Sequence, residues 1–131
     1  MNPMNWPWLL VALGGGVGSL VRYVVAVQTR TWWGEGFPWG TLFVNVVGCL
    51  LIGLLAELVG EREVLRPELK FALIVGFLGG FTTFSSFGLE TVELLQLGRT
   101  TAASLYVLGS NILGLLAVVA GWYLARLWAT A

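Results

Sequence analysis

The chain has no histidine, no aspartate and a single cysteine, Cys49. Each absence removes a class of chemistry. A disulfide framework needs cysteines in pairs, zinc sites draw on clustered thiolates and imidazoles, and Cys–His or His-based proton transfer needs the ring. An enzyme is therefore not expected, because no nucleophile–base pair or metal cluster is available. Charge is scarce as well. Only 11% of residues are charged, against about 25% in ordinary soluble domains. Seven basic and seven acidic side chains cancel, so nothing in the balance points to nucleic acid. Cys49 lies within an apolar run, where a small buried thiol is the expected reading.

What the chain has in quantity is apolar sequence, 57% of its 131 residues. A soluble fold of this size could not hide that surface, whereas a bilayer accommodates it. Crossing the hydrocarbon takes about 20 apolar residues as helix. Four stretches qualify, at 6–27, 37–59, 70–97 and 102–128. They predict an all-α membrane protein, a single four-span transmembrane domain over residues 1–131, in the cell inner (plasma) membrane. The first stretch has no basic flank or small-residue cleavage pattern, so it is expected to be a retained span and not a signal peptide. Trp6, Trp8, Trp32, Trp33, Trp39 and Trp128 cluster near span ends, as interfacial anchors do. The charged connection at 60–69 reads as a solvated loop.

Orientation is less well specified. With four spans, both termini and the middle loop share one side, which holds Arg62, Arg66, Lys70 and Arg126. The other side holds Arg30 and Arg99, plus Arg22 if its side chain snorkels outward. So small a difference gives no direction by the positive-inside rule. Either the bias is simply weak, or the chain inserts both ways, which permits an antiparallel homodimer.

Polar groups at membrane depth need partners. In the first span, Gly14 and Gly18 form a GxxxG pair within a patch of small residues, and close helix packing is the expected role. Arg22, about a turn and a half from that span's expected end, reads as an anchor reaching the headgroups or, alternatively, as a focusing charge at an anion vestibule. In the second span, Thr41, Asn45 and Gly48 share a face. The Asn45 amide, with two N–H donors and an acceptor, fits interhelical bonding and a pore equally. In the fourth span, Ser104, Tyr106, Ser110, Asn111 and Gly114 fall within an arc of roughly 140° at ~100° per residue. That stripe has no carboxylate, which favours an uncharged or anionic solute over a proton relay.

The third span is the most unusual. Its segment from Gly76 to Gly88 holds adjacent glycines at 79 and 80 and four hydroxyl residues in the five positions 82–86. Glycine's conformational freedom and side-chain bonds to the backbone predict a break near Gly79–Thr83. Non-helical backbone at this depth survives only when buried in protein or lining a cavity, and broken spans are where transporters build ion sites. Phe81, Phe84 and Phe87 recur every third residue. The positive edge of a phenyl ring could solvate a small anion without a full charge.

These motifs resemble the Fluc-type fluoride channels, the CrcB family. The likeness rests on Gly-Gly-x-x-Gly-x-x-x-Arg-Tyr at Gly14–Tyr23, Gly-Thr-Leu-x-Val-Asn at Gly40–Asn45, Gly-Gly-x-Thr-Thr-Phe-Ser-Ser-Phe at Gly79–Phe87, and Tyr106 with Asn111. It implies an antiparallel, dual-topology homodimer with two fluoride pores. It also implies a central sodium ion held by main-chain carbonyls, here those of Gly79 and Thr82. By the same likeness, Phe84 and Phe87 are the phenyl rings at the fluoride sites and Asn45 is the pore amide. Tyr106, Ser110, Thr41 and the hydroxyl of Thr83 or Ser86 then form the polar track. Many relatives carry a serine where this chain has Gly114, which supplies no side-chain donor at the far end of the track.

The expected activity is passive, selective export of fluoride from the cytoplasm, conferring fluoride resistance. The small, tightly hydrated ion would exchange water for closely spaced donors. The competing expectation is a four-span, dual-topology, proton-coupled drug or cation exporter. That mechanism needs a carboxylate deep in the membrane, whereas Glu57, Glu90 and Glu93 lie toward span ends.

Overall fold

A computed structural model of the chain describes residues 7–60 and 66–130, so Trp6 and the loop charges at 61–63 lie outside the described residues. Four helical stretches are long and apolar enough to cross a membrane: Pro7–Trp33, Trp39–Val59, Glu68–Gln96 and Thr100–Trp128. No strand is present among the described residues. We label the helices α1 (Pro7–Trp33), α2 (Trp39–Gly60), α3 (67–81), α4 (Phe84–Gln96) and α5 (Thr100–Thr130), with α3 and α4 together making the third span.

The first span runs six residues beyond its expected end, from 27 to Trp33. Thr29 and Thr31, poor helix formers when their hydroxyls compete with the backbone, donate instead to the carbonyls of Val25 and Val27 one turn earlier. The helix stops at Gly34, whose φ of +75° suits glycine and whose N–H returns to the Arg30 carbonyl. Arg22 is consequently eleven residues from the end of α1, or about 16 Å at 1.5 Å per residue. The anchor expectation is corrected accordingly. The Arg22 Nε does not reach toward headgroups but donates to the Gly80 carbonyl at 2.9 Å.

The third span begins as α-helix (Pro67–Lys70), widens into π-helix (Phe71–Leu78) and closes with one α turn (Gly79–Phe81). Thr82 ends it, both its N–H and its hydroxyl bonding the Leu78 carbonyl. The chain is then extended at Thr82 (φ −85°, ψ 157°) and Thr83 (φ −152°, ψ 123°) before α4 starts. The break falls within the expected window, but the glycines are not its hinge. Gly79 keeps helical angles (φ −61°, ψ −36°), and it is two β-branched threonines that take the extended conformation they favour.

Glycine serves packing here. A Cβ on Gly14 would run into the Ala72 carbonyl, one on Gly18 into that of Phe77, and one on Gly80 into that of Gly15. The GxxxG pair thus lets α1 and α3 touch backbone to backbone, as small-residue faces do in membranes. The α2 and α5 helices pair in the same way, with Gly53 against the Val118 carbonyl and Gly121 against that of Leu50. One small core joins Val44, Leu78 and Phe81, with Phe77 stacked on Phe81 at 5.5 Å; another joins Leu94, Ala103 and Tyr106. Most other large apolar side chains, such as Leu13, Leu20, Leu115 and Leu127, face outward. That arrangement is unfavourable in water and stable in lipid. The buried Glu57 is balanced by Arg126 at 3.1 Å, whose guanidinium lies 4.1 Å from the Trp122 ring centre.

Gly18→Ala should therefore lower the thermal stability of the detergent-solubilised protein by about 1–3 kcal/mol, the usual cost of overpacking. Gly16→Ala, whose Cβ meets nothing within 4 Å, should leave it unchanged or raise it by up to about 1 kcal/mol. Parallel melting curves of the two variants check the contrast.

Candidate functional site

The interruption removes helical partners from a run of backbone groups, and the destination of each can be followed. In a continuous helix the Gly79 carbonyl would accept from Thr83 N–H, and that of Gly80 from Phe84 N–H. Instead, Thr83 N–H donates to Asn45 Oδ1 at 2.8 Å, while Asn45 Nδ2 donates to the Thr83 carbonyl at 3.0 Å. One side-chain amide thus satisfies both polar groups of a residue at the break, using its donor and acceptor at once. The Gly80 carbonyl is taken by Arg22, with Ser19 Oγ a further 3.5 Å contact. Ser86 N–H, the helical donor for Thr82, turns instead to the Thr83 hydroxyl, which caps α4 by accepting from it. The carbonyls of Gly79, Phe81 and Thr82 are thereby left without helical donors.

The other side of the break is rich in donors. The N–H groups of Phe84 and Ser85 belong to the first turn of α4 and have no intrahelical acceptor. The Thr83 hydroxyl lies 3.3 Å from Ser85 Oγ and donates to Ser86 Oγ at 3.1 Å. Phe84 is 83% exposed, and its ring centre lies 5.6 Å from that of Phe87. Phe87 continues to Tyr106 at 5.2 Å. Phe81, expected in the same stripe, is instead buried in the core, because the break turns α4 away from α3.

These groups line an open groove of about 450 Å³, into which Asn45, Gly79, Thr82, Thr83, Phe84 and Phe87 all project or abut. Its lining contains no charged residue. Ser110 and Asn111 form the α5 wall. Ser110 Oγ is buried with no hydrogen-bond partner, and Asn111 Nδ2 is bonded back to the Val107 carbonyl. The fourth-span stripe therefore divides: Tyr106, Ser110 and Gly114 face the subunit's interior, while Ser104 and Asn111 are exposed. Gly114 lies across from Cys49, whose sulfur would be 3.4 Å from a Cβ placed there.

Beyond Phe87 the side chains change character. Both carboxyl oxygens of Glu90 are occupied, by the Thr41 hydroxyl at 2.9 Å and the Tyr106 hydroxyl at 2.7 Å. Tyr106 is fully buried, with Phe37 edge-on at 5.5 Å. Thr41 and Glu90 also border a second cavity of about 300 Å³, which includes Arg30, Glu35, Glu93 and Arg99 at the α1–α2 end. Thr41 and Tyr106 thus meet on Glu90, a carboxyl group that sequence reasoning set aside as a span-end charge. The signal was the spacing: Glu90 follows Phe87 by three residues and shares its face of α4.

The fold and groove define a small multi-pass membrane protein organised around an interrupted span. The chain matches the family described as CrcB-like protein, Camphor Resistance (CrcB), over residues 9–122, and it belongs to that family. It is 50% identical over 118 residues to the fluoride-specific ion channel FluC of Rhizobium leguminosarum bv. trifolii, covering 90% of this chain and 94% of that one. It is 44% identical to the proteins of the same name from Nitrobacter winogradskyi, over 124 residues (94% of this chain and 98% of that one), and Helicobacter pylori, over 125 residues (94% and 95%).

Asn45→Ala leaves the partly buried Thr83 N–H without its acceptor and removes a bond to the Thr83 carbonyl, and should cost about 1–3 kcal/mol. Asn45→Asp can still accept from Thr83 N–H but no longer donates to its carbonyl when ionised, so it should not restore stability. Chemical or thermal denaturation of both variants reads this out; an Asp variant as stable as the native protein would contradict the pairing.

Proposed function

We propose that this chain is one subunit of a fluoride-selective channel that lets the ion leave the cytoplasm passively, down its electrochemical gradient. The observation that carries this reading is the uncharged groove at the break, where hydroxyls, an amide and exposed phenyl edges converge. Fluoride surrenders tightly held water only to closely spaced donors, while a fixed charge at the site would hold it too firmly to conduct. The first-turn N–H groups of α4 add positive potential at the same place. The Thr41–Glu90–Tyr106 cluster follows Phe87 along α4, and Thr41 and Glu90 border the second cavity, which carries the charged side chains at the α1–α2 end.

The working unit in this reading is an antiparallel homodimer with two pores. Support comes from the open side of the groove, from Phe84, Ser85 and Asn111 exposed at membrane depth, and from the near-balanced loop charges. Lipid cannot pair the Ser85 hydroxyl or the Asn111 amide oxygen, whereas a second copy can cover them. A sodium ion at the break fits the donor set, since unpaired carbonyl oxygens suit a hard cation and those of Gly79, Phe81 and Thr82 have lost their helical donors. The ion would supply the positive charge that compensates those carbonyls. The chain's own contribution is to hold them in place through Asn45, Thr82 and Arg22.

Purified protein in liposomes, monitored with fluoride and chloride electrodes, should release fluoride and retain chloride. Phe84→Ile should abolish the flux while the protein still inserts and elutes at the native size. Equal efflux of both halides from the native protein would overturn the selectivity claim.

A further inference from the structure

Most side-chain donors along the groove are spent within the subunit. The Thr82 hydroxyl donates to the Leu78 carbonyl at 2.8 Å, and that of Thr83 to Ser86 Oγ at 3.1 Å. Asn45 gives one amide N–H to the Thr83 carbonyl and keeps the other. The other unspent N–H and O–H groups of the lining side chains both stand on α5, at the neighbouring residues Ser110 and Asn111. Ser110 Oγ is buried with no partner, although a serine within a helix commonly returns its proton to the carbonyl four residues earlier. Asn111 does make that return, with Nδ2 donating to the Val107 carbonyl at 2.7 Å. A carbonyl oxygen only accepts, so the atom facing it is the amide nitrogen, whose second N–H is left over.

An asparagine at this place is costly. It is a weak helix former, and an amide exposed on a membrane-spanning helix loses water without gaining partners for all of its groups. Leucine suits both helix and lipid better, as at the exposed Leu108 and Leu115 nearby. The bond to Val107 does not account for the choice, because in a helix that carbonyl already accepts from the Asn111 backbone N–H. Successive helix positions diverge by about 100°, yet Ser110 and Asn111 both border the groove. They therefore bracket its α5 edge, with the hydroxyl on the buried side and the amide on the open side. We propose that Asn111 is a fluoride-binding residue: its spare N–H and the unpartnered Ser110 hydroxyl form an anion seat on the α5 wall of the groove. This rests on the channel reading above and adds a donor that it did not use. Neither group carries a charge, so the seat can replace water around the ion and still release it. The amide oxygen remains for the second copy that covers the groove.

The test compares the full native chain with Asn111→Leu, which keeps the side chain's size and removes both N–H donors. Fluoride efflux from liposomes is measured as the fluoride concentration is varied. In detergent, the melting temperature is followed as sodium fluoride replaces sodium chloride at constant sodium, since an ion bound to the folded state raises it. The variant should elute at the native size. It should need about tenfold more fluoride for half-maximal flux and for half-maximal thermal shift, as expected when one hydrogen bond to an anion is lost. Asn111→Asp, equal in size and without N–H donors when ionised, should show at least the same rise, and it decides the matter if Asn111→Leu fails to insert. Half-saturation at native fluoride concentrations in the variants would overturn the proposal, whether or not they elute smaller, because the amide would then serve only packing or the contact between copies. A native protein that carries no fluoride would overturn the channel reading and this assignment with it. Native flux that the substitutions leave unchanged would overturn this assignment alone.

Discussion

A helix interrupted inside a bilayer exposes backbone groups that lipid cannot hydrogen-bond, each at a cost of several kcal/mol. In this protein one primary amide absorbs much of that cost. Asn45 accepts from Thr83 N–H and donates to the Thr83 carbonyl, so both backbone groups of the residue at the interruption have a partner on α2. The rest of the site depends on this pairing. Because Thr83 N–H is turned toward α2, the Gly79 carbonyl is left free, and α4 can start in a new direction with Phe84 exposed and Phe81 left behind in the core. Arg22 acts from the opposite flank, on Gly80, so the break is held by α1 on one side and α2 on the other.

That arrangement brings opposite polarities close together beside a groove whose lining carries no formal charge. Carbonyl oxygens without donors lie at the end of α3, and N–H groups without acceptors lie at the start of α4. Hydroxyls and phenyl edges extend the donor side along the groove toward Glu90, whose two oxygens hold Thr41 and Tyr106. In the function proposed above, the one interruption would supply both a path for a small anion and a seat for a small cation. This is more economical than separate charged side chains, which would be costly to bury and slow to release an ion.

Much of this was legible in the sequence, because the bilayer imposes strong patterning. Four apolar runs predicted four spans, and the Gly14–Gly18 pair predicted close contact. The glycines at 79 and 80 and the hydroxyls of 82–86 predicted an interruption near Gly79–Thr83, and the extended residues Thr82 and Thr83 fall in that window. Three things were not legible, each for a physical reason. Glycine was expected to lend unusual angles to the break, but Gly79 keeps helical angles and Gly80 is held small by the Gly15 carbonyl of α1. Arg22 was placed near a span end because the polar residues after Val27 looked like the end of a helix; threonine back-bonding carried α1 further and left the arginine inside. Glu90 was set aside as a span-end charge. The contacts that make it a hub come from Thr41, which is 49 residues away, and Tyr106, on another helix, and periodicity within α4 cannot reveal them.

The claim on which all of this rests is that the Asn45 amide, and not a helical carbonyl, holds the Thr83 backbone. Residue-resolved hydrogen exchange of the protein in lipid addresses it directly, with Val44 N–H as a helical reference. The account predicts that Thr83 N–H is strongly protected in the native chain and loses most of that protection in Asn45→Ala, while Val44 N–H keeps its own. Equal protection of Thr83 in both proteins, as a continuous third helix bonding it to Gly79 would give, would contradict the account.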